Sequence, residues 1–251
     1  MNKQKISFRR KILIITGILI LIAAVIFFLL YNGILRFVYP ELLGYTVKGI
    51  DVAHYQGKID WKIISGQNIK FAFIKATEGS SHIDEQFIKN ISDAKQNGIK
   101  VGAYHFFSGE SGGKTQADNF INAVSKFQTD LPPVLDFEIP PEKKNDKEKI
   151  IAETKIFISE IESYFNIKPI IYTTYESYDI YLLGEFNSYP FWIRDLLKEP
   201  KIKNIEWKFW QYSNRGRLKG ITGEQKFVDL NVFNGNEDEF INYINGGGNA
   251  Q

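Results

Sequence analysis

The 251-residue chain has 44% hydrophobic and 24% charged residues, which suits one main globular domain and a short additional segment. It contains 31 basic and 29 acidic residues, and the resulting net charge of +2 gives no argument for nucleic-acid binding. The sequence has no cysteine, which excludes disulfides, thiolate metal sites and cysteine nucleophiles. Aromatic residues make up 15% of the chain, a content that suits sugar stacking as well as core packing.

The N-terminal region consists of a basic tail followed by an apolar run. Residues 1–11 include Lys3, Lys5 and three further basic residues, whereas residues 12–31 carry no charge and are long enough to cross a bilayer. The run continues past Ala24 with six large apolar residues, which favours an uncleaved signal anchor over a cleaved signal peptide. The positive-inside rule then predicts a cytoplasmic tail at 1–11, a transmembrane helix at 12–31 and an extracytoplasmic domain, at the cell surface or in the periplasm.

Three further segments are predicted after the apolar run. Residues 32–47 contain Pro40 and two glycines, which would interrupt a helix, and they are interpreted as a stalk. Alternating strand and helix signals run from 48 to 245 and define the main domain. Residues 246–251 are predicted to be a disordered tail.

The main domain is predicted to be an irregular, TIM-like β/α barrel. Eight short segments rich in β-branched or aromatic residues are predicted strands: 49–54, 71–76, 101–107, 134–138, 169–173, 191–194, 207–212 and 227–231. Apolar periodicity predicts helices at 84–97, 114–127 and 147–165. The alternation implies a parallel sheet with catalytic groups at the carboxyl ends of its strands, and it degrades after the fifth strand, where Pro200 and a Gly-rich loop at 214–225 interrupt the pattern.

Two acids, Asp136 and Glu138, stand in an apolar run bounded by prolines. Side chains alternate along a strand, so both acids project to one face, with about 7 Å between their β-carbons. A carboxyl group kept protonated by burial beside an ionised partner provides the acid that glycoside hydrolysis needs, and Glu138 is expected to be that protonated group. The alternative is that such a pair serves only as a helix cap or in salt bridges.

Acids recur near the ends of two other predicted strands, at Asp51 and Asp229, so four carboxylates are expected at one mouth of the barrel. Rings and hydrogen-bonding groups near strand ends would suit a polyhydroxylated ligand. The candidate substrate-binding residues are His54, Tyr55, Tyr104, His105, Tyr172, Trp192, Trp210 and Gln211. A single His or Tyr at such a position is more often structural, so the prediction depends on several of these residues occurring together at strand ends.

Several motifs carry a resemblance to a known family. They are G-I-D-V-A-H-Y-Q-G at 49–57 with I-D-W at 59–61, K-A-T-E-G at 75–79, G-A-Y-H-F at 102–106, D-F-E at 136–138, I-Y-T at 171–173, W-Q-Y-S at 210–213 and V-D-L-N at 228–231. In this order and spacing the chain resembles family 25 glycoside hydrolases, the secreted lysozymes, over residues 48–235.

The resemblance implies cleavage of the β-1,4 bond between N-acetylmuramic acid and N-acetylglucosamine in peptidoglycan, with net retention and without metal or cofactor. It assigns the general acid to Glu138. Asp136 would act as nucleophile or would stabilise an intermediate formed by the substrate's acetamido group, and Asp51 and Asp229 would complete the acidic site. The expected partners are glycan strands and the membrane, with a monomeric enzyme.

Two positions depart from the family's usual pattern. Ala53 stands where serine is frequent, and W-I-R-D-L at 192–196 replaces a frequent Trp-x-Ala-x-Tyr. Arg194 and Asp195 therefore either affect sugar binding or form a mutual or framework salt bridge.

Two other functions are compatible with a protein that acts on cell walls. A zinc amidase needs clustered histidines, but the chain has only three and lacks an H-E-x-x-H pattern. The alternative from another class is a membrane-tethered, non-catalytic glycan-binding protein, which the retention of all four acids disfavours.

Overall fold

The computed structural model describes residues 8–202, 205, 207–223 and 225–246. The chain divides into two compact units, Met1–Phe37 and Val38–Gln251. The first unit contains helix α1 (Phe8–Tyr31), in which no residue is buried. This helix is long and apolar enough to cross a membrane. A signal sequence near an N-terminus can have the same length and composition. The predicted disordered tail, apart from Gly246, and residues 1–7 of the basic tail lie outside the described residues.

The second unit is built around a closed ring of eight strands. The strands are β1 (Lys48–Val52), β2 (Phe71–Glu78), β4 (Lys100–Phe106), β5 (Val134–Phe137), β6 (Ile170–Thr174), β7 (Phe191–Arg194), β8 (Trp207–Gly216) and β9 (Val228–Phe233). They pair in the order β1-β2-β4-β5-β6-β7-β8-β9, and β9 returns to β1. A two-residue strand, β3 (His82–Ile83), pairs with the end of β2 outside the ring. The predicted irregular barrel is thus confirmed, with each of the eight predicted strands present.

The ring is not parallel throughout, because β9 runs antiparallel to both β8 and β1. The cause is the connection between β8 and β9, which is a loop without a described helix. A parallel neighbour needs a long crossover, usually a helix, whereas a direct return gives an antiparallel pair. The parallel sheet inferred from strand and helix alternation therefore holds from β1 to β8 but not for β9, which lies in the part of the chain where the pattern degrades.

Helices surround the ring over its first two thirds. They are α2 (Trp61–Ser65), α3 (Phe87–Gln96), α4 (Gly113–Val124), α5 (Lys147–Phe165) and α6 (Tyr175–Ser177), which continues into a π-helical turn (Tyr178–Leu182). The three predicted helices correspond to α3, α4 and α5. The short α2 was not predicted because five residues show no periodicity; it begins where the Asp60 carboxylate accepts a hydrogen bond from the Ile63 N–H at 3.1 Å. Between β7 and β8 the described residues form no helix.

The interior of the ring is aromatic at the end opposite the acids. Phe71, Phe73, Phe209 and Phe233 pack there with ring centroids 5.1–5.7 Å apart in the contacting pairs. Glycines make room for these rings: a β-carbon at Gly49 would lie 2.3 Å from the Phe71 ring. This end of the interior is consequently dry and rigid.

A last helix, α7 (Glu237–Asn245), closes the aromatic end. The side chain of its Asn236 cap accepts a hydrogen bond from the Glu239 N–H at 2.9 Å, and the Glu239 carboxylate accepts one from the Asn236 N–H at 2.7 Å, which together form a capping box. Phe240 and Tyr243 are buried against the aromatic interior. The opposite end of the ring is left for polar groups.

The segment before β1 belongs to the second unit. Tyr45 packs on Trp207 and Trp210, with ring centroids 5.3 and 6.0 Å away, and its hydroxyl donates a hydrogen bond to Glu199 at 2.5 Å. Val47 is fully buried. The compact unit thus begins at Val38, within the segment that the sequence assigns to a stalk.

Candidate active site

A cavity of about 430 Å³ opens at the carboxyl ends of the parallel strands. All four predicted acids line it, together with five of the predicted ligand-binding residues: Asp51, Asp136, Glu138, Asp229, Tyr55, Tyr104, Tyr172, Trp192 and Gln211. Asp229 reaches the same mouth from the start of β9 because that strand runs in the opposite direction. The structure thus brings together acids that lie far apart in the sequence.

Asp51 is the most strongly held of the acids. One carboxylate oxygen accepts hydrogen bonds from Asn231 at 2.7 Å and from Gln211 at 3.1 Å. Burial raises the pKa of Asp51 to about 6, although these two hydrogen bonds lower it in part. Gln211 in turn accepts from the Tyr172 hydroxyl at 2.9 Å, and Asn231 accepts from the Trp192 indole at 2.9 Å. The polar atoms of these cavity residues therefore orient Asp51.

Asp136 lies deep in the cavity and is 9% exposed. Burial, followed by the charges of Glu138 and Asp51, raises the pKa of Asp136 well above its usual value, and Lys75 opposes the shift. Its Oδ1 atom has no hydrogen-bond partner among the described residues. A buried carboxylate oxygen without a protein partner is costly, so this atom is suited to meeting a ligand.

Glu138 follows β5 at the rim, and its side chain is 28% exposed. The sequence anticipated a more buried Glu138, but the structure places it 3.2 Å from the guanidinium of Arg194 on β7. The mutual pair of Arg194 with Asp195 does not form. Asp195 instead accepts the backbone N–H groups of Leu197 and Lys198 at 2.9 and 3.1 Å.

Lys75 is a buried cation in the cavity that sequence reasoning noted only as part of a motif. It is 5% exposed and donates to Glu78 at 2.5 Å. Its ammonium group also lies 5.2 Å from the centre of the Phe106 ring. The period of two along β2 is a signal that predicts an inward-pointing Lys75, because Phe71, Phe73 and Lys75 share one face of the strand. In the same way, the period of two along β9 places Asn231 on the same face as Asp229.

Three predicted ligand-binding residues do not line the cavity. His105 is fully buried between Thr77 and Gln116, at 2.8 and 3.0 Å, and Trp210 is fully buried and donates to the Asp195 carbonyl at 2.7 Å. The physical reason is strand alternation: Tyr104 and Gln211 point inward, so their neighbours His105 and Trp210 point outward. These two residues therefore lie outside the cavity at which the sequence expects them.

His54 is the third residue outside the cavity. Its ring nitrogen Nδ1 and its backbone N–H both contact Asp84, at 2.7 and 2.9 Å. Its ring lies 3.9 Å from that of Tyr55, which does line the cavity. His54 thus packs against Tyr55 without lining the cavity itself. Among the described residues no group of three or more His, Asp or Glu side chains is placed to hold a metal ion.

Fold and site together define a β/α-barrel enzyme that works with carboxylates. The family model described as Glycosyl hydrolases family 25 matches residues 50–221, and the chain belongs to this family. Lysozyme M1 of Streptomyces globisporus is 33% identical over 214 residues, which is 79% of this chain and 71% of that protein.

Solved structures give the same result. A family 25 glycosyl hydrolase from Bacillus anthracis is 47% identical and superposes with a TM-score of 0.73, covering 80% of this chain and 94% of its own. The bacterial lysozyme from Streptomyces coelicolor is 32% identical with a TM-score of 0.72, covering 80% of this chain and 98% of its own. The chain is thus a glycoside hydrolase of lysozyme type.

Proposed function

We propose that this enzyme cleaves the β-1,4 bond between N-acetylmuramic acid and N-acetylglucosamine in peptidoglycan. The observation that carries the proposal is the convergence of four carboxylates, from β1, β5 and β9, in one cavity of suitable size for a sugar. Similarity to proteins named lysozyme supports the same substrate.

Glu138 is assigned as the general acid that protonates the leaving oxygen. It is the acid of the D-x-E pair at the rim, where a glycosidic oxygen of a bound strand can reach it. Asp136 lies deeper, and its unpartnered oxygen is assigned to the anomeric centre or to the acetamido group. Both roles of Asp136 lead to net retention, by a covalent intermediate in the first case and by a cyclic intermediate in the second.

Asp51 and Asp229 are assigned the role of setting the net charge of the site. Burial raises the pKa of both carboxyls, and the charge of Asp51 raises that of Asp229 further, so the pair is assigned one proton beside the reacting sugar. This arrangement limits the negative charge that a buried site must carry.

The location proposed for the enzyme is the outer side of a membrane to which α1 anchors it. The apolar helix supports an anchor or a signal sequence, and the basic residues at its N-terminal side support an outward-facing domain. Glycan strands are then the natural partner, and the enzyme is proposed to act as a monomer. A non-catalytic glycan-binding protein is disfavoured, because a binding groove alone would not need buried carboxylates.

The test is digestion of purified peptidoglycan by the full-length protein in detergent, followed by mass analysis of the borohydride-reduced ends. The expected products carry reduced N-acetylmuramic acid, and the Glu138→Gln protein serves as the inactive control. Reduced N-acetylglucosamine would show a different bond specificity, and the absence of new ends would favour the binding protein.

A further inference from the structure

The charges in the cavity are strongly unequal. Among the described residues five carboxylates line it but only two cations: Asp51, Glu78, Asp136, Glu138 and Asp229 against Lys75 and Arg194. An anionic group on a substrate would be repelled almost everywhere in such a site. It could be bound only beside one of the two cations.

Lys75 is not available for this purpose. Its ammonium group is buried and is already paired with Glu78 at 2.5 Å. Reaching it would require a ligand to displace that carboxylate from a buried contact, at a substantial cost. Lys75 therefore pairs with a carboxylate of the site itself and is not available to an anionic group of the substrate.

Arg194 has the opposite properties. Its side chain is 34% exposed within the cavity, and its one hydrogen bond among the described residues goes from one terminal nitrogen to Glu138. A guanidinium has five N–H donors in a planar fork, so donors remain for a second acceptor. Because Asp195 faces its own backbone turn, it does not compete for them.

The position of Arg194 matters because it touches the proposed acid. The sugar whose glycosidic bond receives the proton from Glu138 must lie within reach of the same guanidinium. Under the proposed function that sugar is N-acetylmuramic acid, which differs from N-acetylglucosamine by a lactyl ether with a carboxyl group. The carboxyl is an anion in a bare strand and a neutral amide where a peptide is attached.

We propose that Arg194 binds the lactyl carboxylate of the N-acetylmuramic acid next to Glu138, so that the enzyme prefers glycan strands from which the peptides have been removed. A planar guanidinium pairs with a carboxylate through charge-assisted hydrogen bonds, whereas an amide oxygen offers no charge. Bare strands arise when the amide bond between lactyl group and peptide is hydrolysed. An amidase reaction would therefore supply the preferred substrate.

This inference rests on the proposed function, and its test compares two matched substrates. One is a peptide-free oligomer of alternating N-acetylglucosamine and N-acetylmuramic acid, and the other is the same oligomer with each lactyl carboxyl converted to its methylamide. The full-length enzyme in detergent is expected to show kcat/KM about tenfold to hundredfold higher on the free acid, mainly through KM. In Arg194→Gln the ratio should fall close to one, and Arg194→Lys should recover part of it.

The matched control is Lys198→Gln, which removes an exposed cation from the segment that follows β7 and should leave the ratio unchanged. Equal losses on both substrates in Arg194→Gln would show that Arg194 only positions Glu138, and would overturn the inference. A wild-type ratio near one would also overturn it while the proposed function stands. Failure of the wild type to cleave either oligomer or peptidoglycan would overturn the proposed function itself.

Discussion

Asp51 on β1 and Asp229 on β9 lie directly opposite each other across the antiparallel pair that closes the barrel. Burial raises the pKa of each, and the charge of Asp51 raises that of Asp229 further. Two charged carboxylates at this distance would repel strongly in a buried site, so the pair is most stable with a single proton between them. The closure of the ring and the electrostatics of the site thus depend on the same two strands.

Glu138→Gln should reduce turnover of peptidoglycan by at least 10²-fold, on the order of what a general acid contributes. The amide keeps the shape of the side chain but cannot supply the proton, so glycan binding should be nearly unchanged. Initial rates and pull-down on insoluble peptidoglycan measure the two effects. Glu148→Gln, an exposed substitution on α5, provides the control. Near-normal turnover in Glu138→Gln would move the acid role to Asp51 or Asp229.

Asp136→Asn should abolish most activity but stabilise the fold at alkaline pH. A pKa raised by burial means that the protonated form is favoured on folding, so the stability contributed by Asp136 is present below its unfolded pKa and is lost as the pH rises through the folded value. The Asp136→Asn variant has no carboxyl group to ionise at this position, so it does not lose this stability. Urea denaturation at pH 4 and pH 8 should show its advantage only at the higher pH. A variant less stable than wild type at pH 8 would contradict the account.

His105→Gln should remove an acid-sensitive contribution to stability. The Gln116 Oε1 atom accepts both from the Ser108 N–H and from His105, which identifies a neutral ring with its proton on Nε2. Burial lowers the pKa of His105 to about 4, so its contribution is complete above the usual value near 6.5 and is lost as the pH falls towards 4.

Thermal unfolding between pH 4 and 7 tests this point. The wild type should lose about 3 kcal/mol from this group, on the scale of 1.4 kcal/mol per pKa unit, and the variant should not. Parallel curves for the two proteins would show that His105 does not titrate as inferred.

The protein should fractionate with membranes and resist extraction by carbonate, because α1 is apolar along a length that spans a bilayer. Replacing Leu19 and Ile20 by arginine should release the protein into the soluble fraction or block its export, since charges in a bilayer interior are costly. Mass spectrometry of the mature N-terminus provides the second measurement. A soluble form that begins after Ala24 would mean that α1 is a cleaved signal.

Sequence patterns predicted the strands and the convergence of the acids because both follow from local periodicity and from the geometry of barrels. They failed where partners are distant in the chain. The pairing of Glu138 with Arg194 joins residues 56 positions apart, and no local signal indicates it. They also failed where two adjacent residues were both assigned to the site, as with Tyr104 and His105, although alternation permits only one of each pair to face inward. The antiparallel β9 escaped prediction because eight strand signals do not specify direction.

The position of β9 and α7 after the other described elements of the barrel constrains when the enzyme can become active during its synthesis. Residues 228–233 supply the strand that closes the ring and one of the four acids, and residues 237–245 supply the side chains that seal its aromatic end. A nascent chain without them has open edges on β1 and β8 and an unsealed interior. The barrel therefore matures only after residues 228–245 have been translated, and a chain that lacks them cannot attack glycan.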